Sequence, residues 1–363
     1  MNRIIIVGGG VIGLLTAHEL ASAGQNVTLF ERGETGRESS WAGGGIVSPL
    51  FPWRYLDSVT ALASWSQAVY PALCADLAAH TSVDPEYTGN GLILIAPDEA
   101  DEAQRWATQH RHTLSLIDRD TFHRLEPQAA DPADAALWMP NVGQVRNPRL
   151  VRALRQRIWQ LGVEVRTGDA VTGLLINGGR CQGVRSTSGA LEGDAVAVCA
   201  GAWSARVLAD YAAPPAIHPI RGQMLLFKAS PGTITRMVLE SNRYVIPRRD
   251  GRTLFGSTIE DVGFDKQTTE AAREELYAIA TQRFPILRQF PVEAHWAGLR
   301  PSSPAGVPFI GRHPQVANLF INAGHFRNGI VLGPASAHLV ADLVLDRHPI
   351  LDPASYSWTA ARG

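Results

Sequence analysis

The chain has 363 residues, with 33 Lys and Arg against 34 Asp and Glu and a formal charge of −1. At roughly 150 residues per domain the length suggests about two domains, enough to bury a core without disulfide or metal staples. The 45% hydrophobic and 18% charged composition excludes a disordered chain, and the balanced charge argues against a general nucleic-acid or anionic-membrane binder.

Residues 3–7 carry a continuous β-branched run, long enough for a buried strand and too short for a helix. Gly8 to Gly13 break it, and 14–23 then read as a helix closed by Gly24. A second strand at 27–30 ends at Glu31, which completes a strand-helix-strand unit of the kind that joins parallel strands. The apolar start does not read as a secretory leader. Gly8-Gly9-Gly10 interrupts it and no small-residue cleavage site follows, so the expected location is cytoplasmic.

Residues 32–52 are predicted as loop, centred on Ser39-Ser40-Trp41-Ala42-Gly43-Gly44-Gly45. A helix is expected over 58–79 with a kink near Pro71, then a strand over 90–97 and an acidic-start helix over 98–110. Asn147-Pro148 opens another helix, with Asn147 as cap and Pro148 in the first turn, running to Gly162. Strands at 163–167, 170–176, 183–186 and 191–198 follow. Between 217 and 299, apolar runs at 223–227, 236–239, 243–247 and 253–256 predict a mainly antiparallel sheet, interrupted by a helix over 269–282. A last strand at 318–322 leads into a helix over 328–345. No stretch reaches the roughly 18 apolar residues of a membrane span. The pattern predicts an α/β nucleotide-binding domain that the chain leaves and re-enters.

The first chemical motif is Gly8-x-Gly10-x-x-Gly13, directly after a strand and opening a helix, with Glu31 eighteen residues past Gly13. The first glycine makes the tight turn, the second admits a pyrophosphate, and the third packs helix on strand. The helix start offers free N–H groups and Glu31 can take ribose hydroxyls. Val11, Ile12, Arg32 and Val171 complete this candidate cofactor set. The acid disfavours a 2′-phosphate without separating FAD from NAD.

The second motif is the loop with Ser39, Ser40, Ala42, Gly43, Gly44 and Gly45, whose small side chains suit the approach of a flat ring system; a flexible linker is the plainer alternative. The third, Cys199-Ala200-Gly201-Ala202-Trp203-Ser204, places small residues between a strand and a helix, again permitting close approach of a nucleotide at Ala200, Gly201 and Trp203. Cys199 reads as a small buried hydrophobe, since no partner that would depress its pKa is visible. The fourth joins Trp296-Ala297-Gly298-Leu299-Arg300-Pro301 to Gly324-His325-Phe326-Arg327-Asn328-Gly329-Ile330.

Other features point away from rival chemistries. Only Lys228 and Lys266 are lysines, so a Schiff base or P-loop lysine has no good candidate. Three cysteines without a C-x-x-C pair suggest a reduced, intracellular protein. His110-x-His112 lacks companion ligands and reads as a solvated helix end, so no metal site is expected. Arg149, Arg152, Arg155 and Arg157 read as a solvated helix face.

The four motifs together resemble the FAD-dependent D-amino-acid oxidase superfamily, most closely glycine oxidases of the ThiO type, over essentially the whole chain. The resemblance implies a Rossmann-like FAD-binding domain (1–84, 146–212 and 297–363) interleaved with a mainly antiparallel-sheet substrate domain (85–145 and 213–296). It implies an oxidase that takes glycine, other small amines or D-amino acids, passing hydride from the substrate Cα to flavin N5. Imine and then keto acid, ammonia and hydrogen peroxide follow, with supply to thiamine thiazole synthesis. Arg300 matches the position that binds the substrate carboxylate, which a guanidinium grips in bidentate fashion. Tyr244 supports it and Arg327 assists from the edge, whereas base rates alone would make Arg300 a surface ion pair.

The helix from Asn328-Gly329-Ile330 can aim its positive end at the reduced flavin. His325 is expected to matter more through its backbone than its ring. Val47, Ser48, Asn242 and Ile259 are expected to line the substrate pocket. No cysteine lies near the last strand, where sarcosine-oxidising relatives attach flavin covalently, so FAD is expected to be dissociable. A homotetramer is suggested by the family alone. Two rival readings stay open: a same-fold dehydrogenase feeding a quinone chain, and a flavin-binding module without turnover.

Overall fold

The structure is a computed structural model and describes residues 3–130, 133–211 and 214–362. It opens with β1 (Arg3–Val7), α1 (Val11–Ser22) and β2 (Asn26–Glu31). Ile4, Ile5, Ile6 and Val7 are all buried, as a strand covered on both faces requires. α1 starts three residues earlier than its apolar pattern predicts. Its N-cap, Gly10, has no side chain, and the Val11 N–H is capped instead by Ser40 Oγ at 2.8 Å, a partner 29 residues away.

There follow α2 (Ser39–Ala42), α3 (Asp57–His80), β3 (Leu92–Ile95), α4 (Ala100–His110), β4 (Ser115–Asp118), α5 (Arg119–Leu125), β5 (Ala135–Met139) and α6 (Asn147–Gln160). Next come β6 (Glu164–Thr167), β7 (Val171–Asn177), β8 (Arg180–Ser186), β9 (Gly189–Glu192), β10 (Ala195–Val198) and α7 (Ser204–Val207). The chain closes with β11 (His218–Phe227), β12 (Met237–Glu240), β13 (Arg243–Pro247), β14 (Thr253–Gly256), α8 (Glu270–Arg283), β15 (Val292–Ser302), β16 (Phe309–Arg312), β17 (Leu319–Ala323) and α9 (Gly329–Val344).

These strands form three sheets. One has six strands in the order β16-β17-β10-β1-β2-β6, parallel except for β16. A second has eight, β15-β11-β14-β13-β12-β3-β5-β4, antiparallel except where β12 meets β3. The third is the small meander β7-β8-β9. Because β1, β2, β6, β10, β16 and β17 come from three separated stretches of sequence, the chain leaves the six-stranded sheet and returns to it, as its pattern predicts. The domain boundary expected at 212/213 lies outside the described residues, and the one expected at 296/297 falls inside the continuous strand β15.

Several expectations change on folding. The strand predicted at 191–198 is two strands of different sheets, broken where the Gly193 N–H turns to Gln182 O and the Asp194 N–H to Arg3 O. Asn147 does not cap α6; the cap position is Arg146, and Asn147 Nδ2 instead donates to Ser40 O at 3.1 Å. The predicted loop at 32–52 contains the turn of helix α2. His112 is half-buried rather than solvated, stacked on Trp106 at 4.6 Å and bonded to Ser64 Oγ at 2.9 Å. Arg149 and Arg157 pair with Glu86 and Asp76, leaving only Arg152 and Arg155 of that face exposed. β4, β5, β15 and β16 carried no clear alternation. β15 is moreover an edge strand, where proline is tolerated.

Candidate active site

One cavity runs between the six-stranded and eight-stranded sheets, and most of the expected site residues line it. At one end stand Gly8, Gly10, Val11 and Ile12, with Glu31, Arg32, Val171, Ala200, Gly201 and Trp203 around them. Gly13 lies beneath, outside the lining. A Cβ there would fall 1.9 Å from the Gly8 carbonyl oxygen, so this glycine is required by packing within the turn. The Glu31 carboxylate accepts from the Gly9 N–H at 2.8 Å and the Gly33 N–H at 2.9 Å, bracing the loops on both sides of the cavity mouth. Cys199 is buried with its thiol towards Thr16 Oγ1 at 3.9 Å, and burial pushes it up to about 12, so it is a packing residue.

In the middle, Ser39, Ser40, Ala42, Gly43, Gly44 and Gly45 line the cavity. The triple glycine has a second cause that the sequence does not suggest. A Cβ on Gly44 would meet Ile246 Cδ1 at 2.6 Å, and one on Gly45, at φ +84°, would meet the Val145 carbonyl oxygen at 2.1 Å. The loop is thus pressed against Ile246 and Tyr244 of β13 and against the chain at Val145. Arg248, buried in β13's continuation, holds it there by donating to Gly44 O at 2.7 Å, Gln144 Oε1 at 2.6 Å and Val145 O at 2.9 Å. Burial pushes Arg248 down to about 10. Residues 243–251 read Arg-Tyr-Val-Ile-Pro-Arg-Arg-Asp-Gly, and nothing in that spacing marks one arginine as internal.

At the far end, Arg300 projects from β15 beside Tyr244 from β13. Its guanidinium lies against Gly222, the register partner of Gly298, where a Cβ would sit 2.0 Å from Nη2. It donates to the Arg221 carbonyl at 3.2 Å, the Thr258 carbonyl at 3.1 Å and Ser257 Oγ at 2.6 Å. Among the described residues no carboxylate is ion-paired with it. Burial, with Arg327 nearby, lowers its pKa, and Tyr244 opposes the shift. Met224, also lining this end, contacts the Tyr244 hydroxyl at 3.8 Å through sulfur.

Arg327 lines the rim and donates to Asn242 Oδ1 at 3.2 Å. Of the residues expected in the substrate pocket, Ser48 lines the cavity. Val47 is packed in the core behind it, Asn242 reaches it only through Arg327, and Ile259 is 44% exposed. Met224, Ile46 and Leu50 take that wall instead; as apolar residues in predicted strand or loop they carried no signal in the sequence.

The Gly329–Val344 helix points its N-terminus at the cavity, with Gly329 and Ile330 in the lining and Asn328 just behind. His325 is 1% exposed. Ser336 Oγ donates to Gly333 O, so His325 Nε2 donates to Ser336 Oγ at 3.1 Å and the ring stays neutral. Burial pushes its pKa down to about 3. The unfolded ring, near 6.5, takes up a proton first as pH falls, so the stability held by the neutral buried ring is complete above pH 6.5 and drains away between 6.5 and 3, at about 1.4 kcal/mol per pH unit. His325→Gln keeps a donor and removes the titration. Its denaturant midpoint is expected to fall less than that of the parent protein between pH 7 and pH 4.5; parallel slopes would contradict this.

Among the described residues no cluster of three His, Cys, Asp or Glu could hold a metal, and no helix is long and apolar enough to cross a membrane. Residues 3–343 match the family described as FAD dependent oxidoreductase. A glycine oxidase of Pseudomonas aeruginosa is 48% identical over 357 residues, covering 98% of each chain, and one of Pseudomonas putida is 46% identical over the same share. The crystal structure of glycine oxidase from Geobacillus kaustophilus superposes with a TM-score of 0.91 at 30% identity, covering the whole of both chains.

Proposed function

The chain belongs to the FAD-dependent oxidoreductase family, and on that premise we propose that it oxidises glycine and other small amines or D-amino acids to imines, with O2 as electron acceptor. The observation that carries the substrate class is Arg300. This buried guanidinium is held by carbonyl and hydroxyl oxygens and, among the described residues, has no ion-paired carboxylate, and a substrate carboxylate is the partner its planar fork fits.

FAD fits the cavity. A glycine turn with the start of α1 lies at one end, a glycine loop in the middle and the start of α9 at the other. Among the described residues, buried Arg327 Nη2 and the side-chain amide of Asn328 have no hydrogen-bond partner, so polar atoms are waiting at that end. Bound FAD supplies the hydride acceptor, N5, and its reoxidation by O2 yields hydrogen peroxide. Arg300 fixes the substrate carboxylate, the Tyr244 hydroxyl supports it, and the apolar wall of Met224, Ile46 and Leu50 excludes water. The α9 N-terminus, with Gly329 and Ile330 in the lining, would offer its partial positive charge to negative charge that develops on the bound cofactor. His325, neutral and bonded to Ser336 of the helix, is not placed to act as a base, which fits a reaction in which the reacting amine is already uncharged. Cys199 is the one cysteine in the lining, and its raised pKa favours a cofactor held without a covalent bond.

The purified protein is expected to be yellow, to bleach under anaerobic glycine, and to release one hydrogen peroxide per glycine in air. A flavin that glycine leaves oxidised would refute the substrate class. Dye reduction without peroxide would refute the oxidase half of the reading.

A further inference from the structure

Residues 258–269 leave the eight-stranded sheet after β14 and lead into α8, and two of them, Phe264 and Lys266, contact residues of the cavity lining from outside it. Both feet of this segment are hydrogen-bonded to Gln223 of β11, Thr258 buried and Thr269 exposed. The Gln223 N–H donates to Thr258 Oγ1 at 2.8 Å, and the Gln223 side-chain oxygen accepts from the Thr269 N–H at 2.9 Å. Its crest is shaped from inside by Arg221, 5% exposed, which pairs with Glu260 and reaches Asp265 Oδ2 at 2.8 Å and the Gln267 carbonyl at 2.9 Å.

From that fixed crest two side chains reach across to the nucleotide end of the cavity. Lys266 Nζ pairs with Glu38 Oε2 at 2.9 Å, and Glu38 also holds Arg32 at 3.0 Å. Phe264 packs on Trp203 with ring centroids 5.3 Å apart. The Arg32 guanidinium lies 3.7 Å over the Trp203 ring and that of Arg206 lies 3.5 Å over Phe264. The contacts close a circuit, Lys266–Glu38–Arg32–Trp203–Phe264. Its three members from outside the segment all line the cavity beside Glu31.

We propose that segment 258–269 is a retaining strap for FAD, closing the nucleotide end of the cavity through Phe264 and Lys266 so that the cofactor leaves only when both contacts break. The strap rests on the FAD reading above. It costs little to hold closed, because its feet and crest are ordered by β11 whether or not the tip touches the other sheet. Opening gives up one aromatic contact flanked by two guanidinium groups and one exposed ion pair.

The experiment dilutes the holoenzyme and follows the rise in free flavin fluorescence, with a melting curve of each apoprotein beside it. Phe264→Ala is expected to release FAD about fivefold to tenfold faster, and Phe264→Tyr to restore slow release. Lys266→Ala is expected to release it about twofold to threefold faster at low salt, converging on the parent as ionic strength rises, because an exposed pair is screened. Unchanged release in both alanine variants would overturn the strap, as would faster release that merely tracks a lower apoprotein melting temperature. A parent protein that binds no FAD on reconstitution would instead overturn the cofactor reading.

Discussion

Arg300→Ala is expected to raise the KM for glycine about thirtyfold to several thousandfold, the loss of a charge-assisted bidentate contact of about 2–5 kcal/mol. The site gives no substitute. Arg32 and Arg206 line the opposite, nucleotide end of the cavity, and Arg327, the other guanidinium at this end, sits on the rim and is engaged by Asn242. Lysine cannot rescue fully, because a point charge cannot span two carboxylate oxygens and also hold the Thr258 carbonyl and the Ser257 hydroxyl. Arg300→Lys should therefore fall between the two. The substitution also opens space over Gly222, so flavin content and melting temperature must be read alongside. A KM within threefold of the parent, in a protein that keeps its flavin, would remove Arg300 from substrate binding.

Gly13→Ala is expected to cost on the order of 3 kcal/mol of stability and to leave the protein largely without FAD. The added methyl would stand 1.9 Å from the Gly8 carbonyl oxygen and 3.5 Å from Cys199 Cβ, and backbone cannot yield as a flexible side chain does. Gly10→Ala makes the contrast. Its methyl would meet only Ser40 Oγ, at 3.1 Å, so the apoprotein should fold with nearly parental stability while FAD affinity falls tenfold or more, about 1.4–3 kcal/mol, because Gly10 lines the cavity. Calorimetry of the two apoproteins with a flavin titration separates the effects. Equal destabilisation by both would mean that the motif's glycines act alike, against the geometry.

Much of the fold was legible because its signals are local. The β-branched run of β1, the glycine turn and the acid at the end of β2 are set by neighbours in sequence. So is the helix over 270–283, where the Thr269 side chain caps the Ala272 N–H at 3.4 Å. What was misread depends on partners far along the chain. Asn147 looks like a cap until Ser40, 107 residues away, takes its amide. The run 191–198 looks like one strand until two sheets claim its halves. Val47 and Ile259 are as apolar as a pocket wall should be, but only the packing of β11 and β13 puts Met224 there in their place.

Charge and length by themselves therefore determined little beyond size, whereas the order of motifs determined the family. Tertiary structure decided what each residue does with its neighbours. Two arginines of one composition class show why. Arg248 spends its guanidinium on the Gly44 carbonyl and becomes part of the scaffold. Arg300 meets carbonyl and hydroxyl oxygens at one wall of a cavity and keeps its charge available. Sequence specifies the chemistry a side chain can do; the burial and partners that select among those uses come from residues dozens to hundreds of positions away.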